Sequence, residues 1–511
     1  MLSLAKEKDI EVLRQAALLL ERENQRLTAK LLELTRQLLG AGSDDMEQIR
    51  LRLAEVERQL AATQKKIYGT SSERRDGEPS EGGSAPPPSP PKGHGRTSQL
   101  ALRLVETSHA LAPAEQVCTS CGGALQEWEG QDETSEMIDV LRREFVLVRH
   151  RQKKYRCACG GCVKTAPGPD KLVPGARYSI DVAVHVAVMK YLDHHPLERM
   201  VRSFARDGLV VTSQSLWDCV DQVAFVVAPA YRRLREYVLS HEVVGADETW
   251  WRLMGRGEAK GESKRWQIWI ATVPNAVIYQ LHDNRAKRAA EELFEGYKGI
   301  LLCDGYGAYA AFAKTSPKVT LAHCWAHVRR KFIEIEESFP EETKQILALI
   351  GELYAVERLC PRGPPGDALR GELRATRSRA ILAEIEAWVW QTYPRLLPES
   401  GLAKAIRYMG GLWPGLVLFL SVPQLAIDNN GAERAARGPV VGRKNHYGSR
   451  SVRGTEVAAI LYSLLESAKL AGVDPAAYLA HAVRCGVRGE QIPLPHAWVP
   501  SPPVKSDAPG T

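Results

Sequence analysis

The stretch that most restricts how this chain can fold is residues 243–304. Residues 243–249 (VVGADET) read as a short apolar strand running into a carboxylate, Asp247. Residues 265–272 (RWQIWIAT) and 276–281 (AVIYQL) are rich in aromatic and β-branched side chains, and Val273, Pro274 and Asn275 between them are turn formers. That pair predicts a hairpin. Residues 286–296 predict a helix, and residues 299–303 (GILLC) are a second apolar strand that also runs into a carboxylate, Asp304.

Three antiparallel strands, a helix and a fourth strand that can pair beside the first make the opening of a ribonuclease-H-like fold. In that arrangement Asp247 and Asp304 end on neighbouring strands. Two carboxylates so close repel unless a cation lies between them. The pattern therefore points to paired-metal phosphoryl transfer. A third carboxylate brought by a helix would complete such a site. Residues 428–434 (DNNGAER) offer one: Asp428 or Asn429 can cap a helix carrying Glu433 in its first turn. Glu433 is the preferred third member. Asp428 is the competitor, but a capping Asp is more often structural.

The rest of the chain divides around this region. At 511 residues it is too long for one ordinary domain. Residues 1–69 carry heptads, with Leu13, Leu20, Leu27 and Leu34 at one core position and Ile10, Ala17, Asn24, Leu31 and Leu38 at the other. A single Asn in such a seam fits a short parallel coiled-coil dimer, and a helical hairpin packed on itself is the alternative. Residues 70–98 are Pro/Gly/Ser-rich and predict a disordered linker.

Residues 99–170 hold five cysteines. Cys118 and Cys121 form one CxxC pair; Cys157, Cys159 and Cys162 form a CxCxxC group. Two pairs at this separation suit one tetrahedral zinc ion. Cys118, Cys121, Cys159 and Cys162 are preferred, and Cys157 can replace Cys159. Residues 171–240 predict helices, among them a helix from 195, a Gly-containing turn at 207–208 and a Thr212-capped helix over 214–223. That outline fits a helix-turn-helix and plain α-hairpin packing equally. Residues 241–485 predict the catalytic domain, with a helical insertion at about 336–425, and the Pro-rich stretch within 486–511 predicts a disordered tail.

Net charge is +7, compatible with nucleic acid but not diagnostic of it. No apolar run reaches membrane length and the start is charged rather than signal-like, so a cytoplasmic protein is expected.

Taken together the motifs resemble transposases of the insertion-sequence sixty-six family. The matching blocks are KIYGTSSE (66–73), the Cys118/Cys121 knuckle with KYRC (154–157), KYLDHHPL (190–197), ADET (246–249), DGY (304–306), CWAHVRRKF (324–332), DNNGAER (428–434), GRKN (442–445) and LYSL (461–464). They run in the family's order over nearly the whole chain. His446 stands where an aromatic residue is expected.

The resemblance implies a multidomain α+β transposase with a zipper-like start, a zinc-binding segment, a helix-turn-helix and an acidic triad on Asp247, Asp304 and Glu433. Such a protein would use Mg²⁺ or Mn²⁺ to cleave and join DNA at the terminal inverted repeats of its element. Its partners would be DNA and a second copy of the chain, with accessory element-encoded proteins as further candidates and no membrane. The alternatives are an inactive or regulatory DNA-binding protein and a simple nuclease on the same fold. His327, Arg330 and Lys331 share a helix face that could grip a phosphate. Arg434, Arg437, Arg443 and Lys444 suit DNA backbone contacts. Either group could also be an ordinary solvated face. Cys324 and His327 have ligand-like spacing but no partner pair in the sequence. Trp250 and Trp251 could stack on a base or simply pack, packing being the commoner case.

Overall fold

The computed structural model describes residues 144–500, except 157–162, 256–262 and 362, together with isolated positions 26, 30, 56, 120 and 122–124. Apart from those positions, the expected coiled-coil arm (1–69) and linker (70–98) lie outside the described residues, as do Cys118, Cys121, Cys157, Cys159 and Cys162. The described residues from 144 onward belong to one compact unit, and residues 70–143 are assigned to another. Every strand and helix named here belongs to the first.

A short antiparallel ribbon, β1 (Lys154–Arg156) with β2 (Val163–Thr165), precedes three helices. These are α1 (Ile180–Tyr191), α2 (Leu197–Arg206) and α3 (Ser213–Leu239). Ser179 and Thr212 start α1 and α3 by accepting hydrogen bonds from the N–H groups of Val182 and Ser215. The capped helix expected over 214–223 continues to Leu239. Its apolar stripe does not stop at Val223: Val227, Leu234 and Val238 follow at helical spacing, and all are buried. Helices α1–α3 thus share one core with the sheet, and the boundary expected at 240 is not a gap in packing.

The sheet has five strands: β3 (Val243–Met254), β4 (Ser263–Val273), β5 (Ala276–His282), β6 (Gly299–Cys303) and β7 (Val319–His323). Their spatial order is β5-β4-β3-β6-β7. The first three form an antiparallel meander, and β6 and β7 run parallel to β3. Helix α4 (Lys287–Leu293) connects β5 to β6, and α5 (Gly307–Thr315) connects β6 to β7. The hairpin, the helix and the fourth strand beside the first are therefore where the sequence pattern places them.

The chain continues through α6 (Trp325–Ile333) into a helical excursion. It comprises α7 (Pro340–Arg358), α8 (Asp367–Leu373), a π-helical turn (Arg374–Ser378), α9 (Arg379–Thr392) and α10 (Gly401–Leu416). These helices build a second apolar core against Ile300 and Leu302 of β6. The chain then returns to the sheet with α11 (Asn430–His446), α12 (Val452–Leu470) and α13 (Pro475–Val487).

Helix α12 lies along the edge strand β5. Ser467 Oγ accepts from the N–H of Val277 at 2.9 Å and donates to its carbonyl at 3.0 Å, and Ser463 Oγ accepts from Tyr279 N–H at 2.9 Å. Two serines one turn apart thus satisfy backbone groups that an open edge would leave exposed. In place of the disordered tail expected from 486, residues 488–500 pack back onto the domain. Arg233 donates to the Ile492 carbonyl at 2.7 Å, His496 stacks on Tyr237 at 3.8 Å, and Ile492 and Leu494 are buried. The prolines there fix a path over the surface instead of preventing one. Among the described residues no helix is long and apolar enough to cross a membrane.

Candidate active site

Strand register sets the first two carboxylates side by side. In the parallel β3–β6 ladder Gly245 pairs with Leu302. Asp247 and Asp304 each follow that pair by two residues, at the same level of strands about 4.8 Å apart. Asp304 Oδ1 accepts from the N–H of Tyr306 at 2.9 Å, which shapes the turn into α5. Asp247 Oδ1 accepts from the N–H of Glu248 at 2.8 Å.

The third carboxylate arrives on α11, docked by Asn429. Its Nδ2 donates to the Ala246 carbonyl at 2.6 Å, and its backbone N–H donates to Cys324 Sγ at 3.1 Å. Capping itself falls to Asp428, whose Oδ1 accepts from Asn430 N–H at 3.1 Å. The competitor for the catalytic role therefore does structural work. Gly245 permits the close approach, since a Cβ there would stand 2.9 Å from Asn429 Oδ1. Farther along α11, Pro439 leaves the Ala435 carbonyl without its helical donor, and Tyr279 Oη supplies one at 2.7 Å. Glu433 thus lies in the first turn of a helix docked on β3.

Charge concentrates there. Burial, then Glu248, and then Asp304 and Glu433 push the Asp247 carboxyl from its ordinary 3.8 up to about 7, against the opposing pull of the Glu248 N–H. Both other members of the expected triad are therefore near enough to act on Asp247. Because the folded value lies above the unfolded one, this group's stabilising contribution is full below about pH 4 and is lost as pH rises through about 7. Without added divalent ions, Asp247→Asn should accordingly melt above wild type at pH 8, with the gap closing at pH 4. Thermal melts at the two pH values check this; equal melting temperatures at pH 8 would contradict the burial of charge described here.

A fourth carboxylate was not singled out by the motif pattern. Glu248 points to the opposite face of β3, and its side chain is only 2% exposed. It is ion-paired with Arg285 and accepts from Tyr309 Oη at 2.7 Å. Burial raises its carboxyl, while the Arg285 and Tyr309 hydrogen bonds oppose the rise. Arg285 in turn lies over the Tyr306 ring at 4.0 Å. Glu248 thereby ties β3 to the helix that follows Asp304. Alternation along the strand was the available signal, since a carboxylate on an inward face requires partners.

The basic residues divide by orientation. His327 Nδ1 lies 3.7 Å from Glu433 Oε1, and Arg330 Nη2 lies 3.8 Å from Glu433 Oε2. Lys331 pairs with Glu334 at 3.0 Å instead. Arg443 turns inward: it donates to Thr249 Oγ1 at 2.9 Å and to the Trp250 carbonyl, and lies over the Trp250 ring at 3.9 Å. Burial and then Arg265 lower its guanidinium to about 10, which leaves it charged at neutral pH. Arg434, Arg437 and Lys444 are exposed along one face of α11, and among the described residues no ion pair involves them. Trp251 is buried and packs edge-on against His446 at 5.9 Å. His446 fills the slot expected for an aromatic residue, and burial, then Lys190, push its imidazole down to about 3, so it is neutral.

Asp247, Asp304 and Glu433 are hard oxygen donors of the kind Mg²⁺ and Mn²⁺ prefer. Glu433 Oε1 is buried without a hydrogen-bond partner. Asp247 is uncharged over much of the range below pH 7 unless a cation offsets its neighbours. The three acidic residues are nevertheless not drawn to ligand spacing: among the described residues the group whose ligand atoms all lie within 4.8 Å of one another is Cys324, His327 and Glu433.

Comparison with known proteins agrees with the motif reading. The family model "Transposase IS66 family" matches residues 175–457, more than half of the chain. A second model, "zinc-finger binding domain of transposase IS66", matches residues 115–160. That span includes Cys118, Cys121, Cys157 and Cys159 and stops before Cys162. Uncharacterized protein y4jD of Sinorhizobium fredii is 32% identical over 395 residues, 74% of this chain and 76% of that protein. Uncharacterized protein y4qI of the same organism is 30% identical over 452 residues, 85% of this chain and 81% of that protein. The Mos1 transposase paired-end complex with left transposon end matches with a TM-score of 0.11 at 13% identity, covering 30% of this chain and 61% of that one, a likeness too slight to argue from.

Proposed function

Because the chain belongs to the insertion-sequence 66 transposase family, we propose that it cleaves and joins DNA strands at the terminal inverted repeats of its element, using Asp247, Asp304 and Glu433 on a ribonuclease-H-like scaffold. The observation that carries this reading is the β3–β6 register, which brings Asp247 and Asp304 to the same level of neighbouring strands, with the helix of Glu433 docked on β3 through Asn429.

Asp247, Asp304 and Glu433 would hold Mg²⁺ or Mn²⁺, which when bound makes a water or a 3′ hydroxyl nucleophilic and steadies the leaving oxygen. The chain's own residues do the rest. Asn429 docks the helix that carries Glu433 on β3, and Glu248 with Arg285 and Tyr309 ties down the segment after Asp304. Arg330, beside Glu433, would meet the scissile phosphate. The N-terminal heptads would pair two chains, the cysteine segment would hold Zn²⁺, and α2 with the start of α3 would read DNA as a helix-turn-helix. The cytoplasm is the expected compartment. The direct test mixes purified protein with labelled element ends and Mg²⁺. Nicked and joined products are expected, and their absence on authentic ends would overturn the proposal.

The exposed stripe of Arg434, Arg437 and Lys444 supplies a second test. Phosphate contacts fix position without reading sequence. Replacing all three with Gln should weaken binding to element ends and to unrelated duplex alike. It should also flatten the dependence of log affinity on log salt by about 0.9 per lost phosphate contact. Fluorescence anisotropy over a salt series measures both quantities.

A further inference from the structure

Beside Glu433 stand two side chains that the triad does not use. Cys324, the buried residue just before α6, and His327, one turn into that helix, face the same carboxylate. Cys324 Sγ, a ring nitrogen of His327 and a Glu433 oxygen all lie within 4.8 Å of one another. The His327–Glu433 separation of 3.7 Å is too long for a hydrogen bond. His327 Nδ1 and Glu433 Oε1 are nevertheless both buried, and neither has a hydrogen-bond partner. Two unsatisfied polar atoms converging on one spot call for a bound group between them.

Spacing and chemistry identify it. Bonds of 2.0–2.3 Å at tetrahedral angles separate neighbouring ligand atoms by about 3.5 Å, and His327 Nδ1 and Glu433 Oε1 stand 3.7 Å apart. A cysteine at a helix start and a histidine three residues on present their donors to one side. Sulfur, imidazole nitrogen and a single carboxylate oxygen select a thiophilic ion over Mg²⁺, which prefers oxygen alone. The Asn429 N–H directed at Cys324 Sγ, 3.1 Å away, is the kind of outer contact that orients a ligating sulfur.

We propose that Cys324, His327 and Glu433 form a binding site for a thiophilic divalent cation of the Zn²⁺ class, separate from the oxygen-ligated site of Asp247 and Asp304. As the ion binds, the Cys324 thiol gives its proton to water and a sulfur–metal bond forms. The three protein ligands leave a fourth position for water. Glu433 belongs to both constellations, so occupation of this site withdraws it from the acidic cluster. That consequence, inhibition by zinc, rests on the functional reading above; the binding itself does not.

The test uses the full chain with its zinc finger loaded, and Co²⁺ as the probe. Wild type should bind one more Co²⁺ than Cys324→Ser does, with a sulfur-to-cobalt charge-transfer band in the difference spectrum. His327→Gln should weaken that binding at least tenfold, which keeps the test decisive if the serine variant folds poorly. Asp304→Asn should retain the band. Identical spectra for wild type and Cys324→Ser, or loss of the band in Asp304→Asn, would overturn the proposal. In Mg²⁺-dependent cleavage, with each protein normalised to its own zinc-free rate, half-inhibition of wild type should need at least tenfold less Zn²⁺ than Cys324→Ser; equal sensitivity would count against it. If no protein cleaves DNA, the functional reading fails, and the spectra still decide the site.

Discussion

Replacing Asp304 with Asn should reduce metal-dependent cleavage of element ends by about 10³-fold or more, since a metal clamp supplies several kcal/mol and each 1.4 kcal/mol is a factor of ten. The substitution is nearly isosteric and keeps an oxygen able to accept from Tyr306 N–H, so the turn into α5 should survive. Affinity for DNA without divalent ions should change little, rising slightly through the lost negative charge. The loss should appear in the rate of the chemical step under single-turnover conditions. If Asp304→Asn and wild type give the same products at the same rate, Asp304 does not hold a catalytic ion. Comparing Mg²⁺ with Mn²⁺ sharpens the result, because a weakened oxygen site is rescued first by the ion that binds it more tightly.

The largest effect on stability should come from Arg374, far from any reacting atom. Its side chain is 1% exposed. It forms a two-pronged pair with Glu357 at 2.7 and 2.8 Å, and donates to the carbonyls of Phe419, Val422 and Leu425 at 2.9 Å each. Those carbonyls lie on the segment leading from the helical excursion back to Asp428. Arg374→Ala should destabilise the chain by about 3–5 kcal/mol, because three buried carbonyls lose this donor and Glu357 keeps only the longer 3.6 Å contact to Arg370. Arg374→Lys should recover little, since an ammonium cannot reproduce the planar fork. Chemical denaturation checks the magnitude. A change below about 1 kcal/mol, the range of an exposed ion pair, would show that water replaces the guanidinium.

These two residues mark how far the sequence could be read. Asp304 was legible because its signal is local: an apolar strand, then a carboxylate, at a spacing that returns the chain beside β3. Glu433 was legible for a similar reason, as a carboxylate one turn inside a capped helix. The excursion over 336–425 was recognisable as helical, but the ties of Arg374 to carbonyls some 45–51 residues away have no local signature. Asn429 has a local reading as a helix cap, but its side chain instead reaches the Ala246 carbonyl 183 residues earlier. Helix α3 was cut short in the sequence reading because its cap was visible and its end was not. Its later turns are held by partners far downstream: Tyr231 donates to the Tyr279 carbonyl and Arg233 to that of Ile492. Local periodicity names elements; which faces meet is decided by partners elsewhere in the chain.

The serines of α12 have a consequence for synthesis. The meander is complete once residue 282 has been made, but its outer strand stays uncovered until Ser463 and Ser467 emerge. During that interval the nascent chain displays an unpaired ribbon to its neighbours. A product stopped by a nonsense codon anywhere between would keep it on display permanently. Such fragments should self-associate and be degraded, so the cell would hold full-length protein and few partial copies able to occupy DNA unproductively.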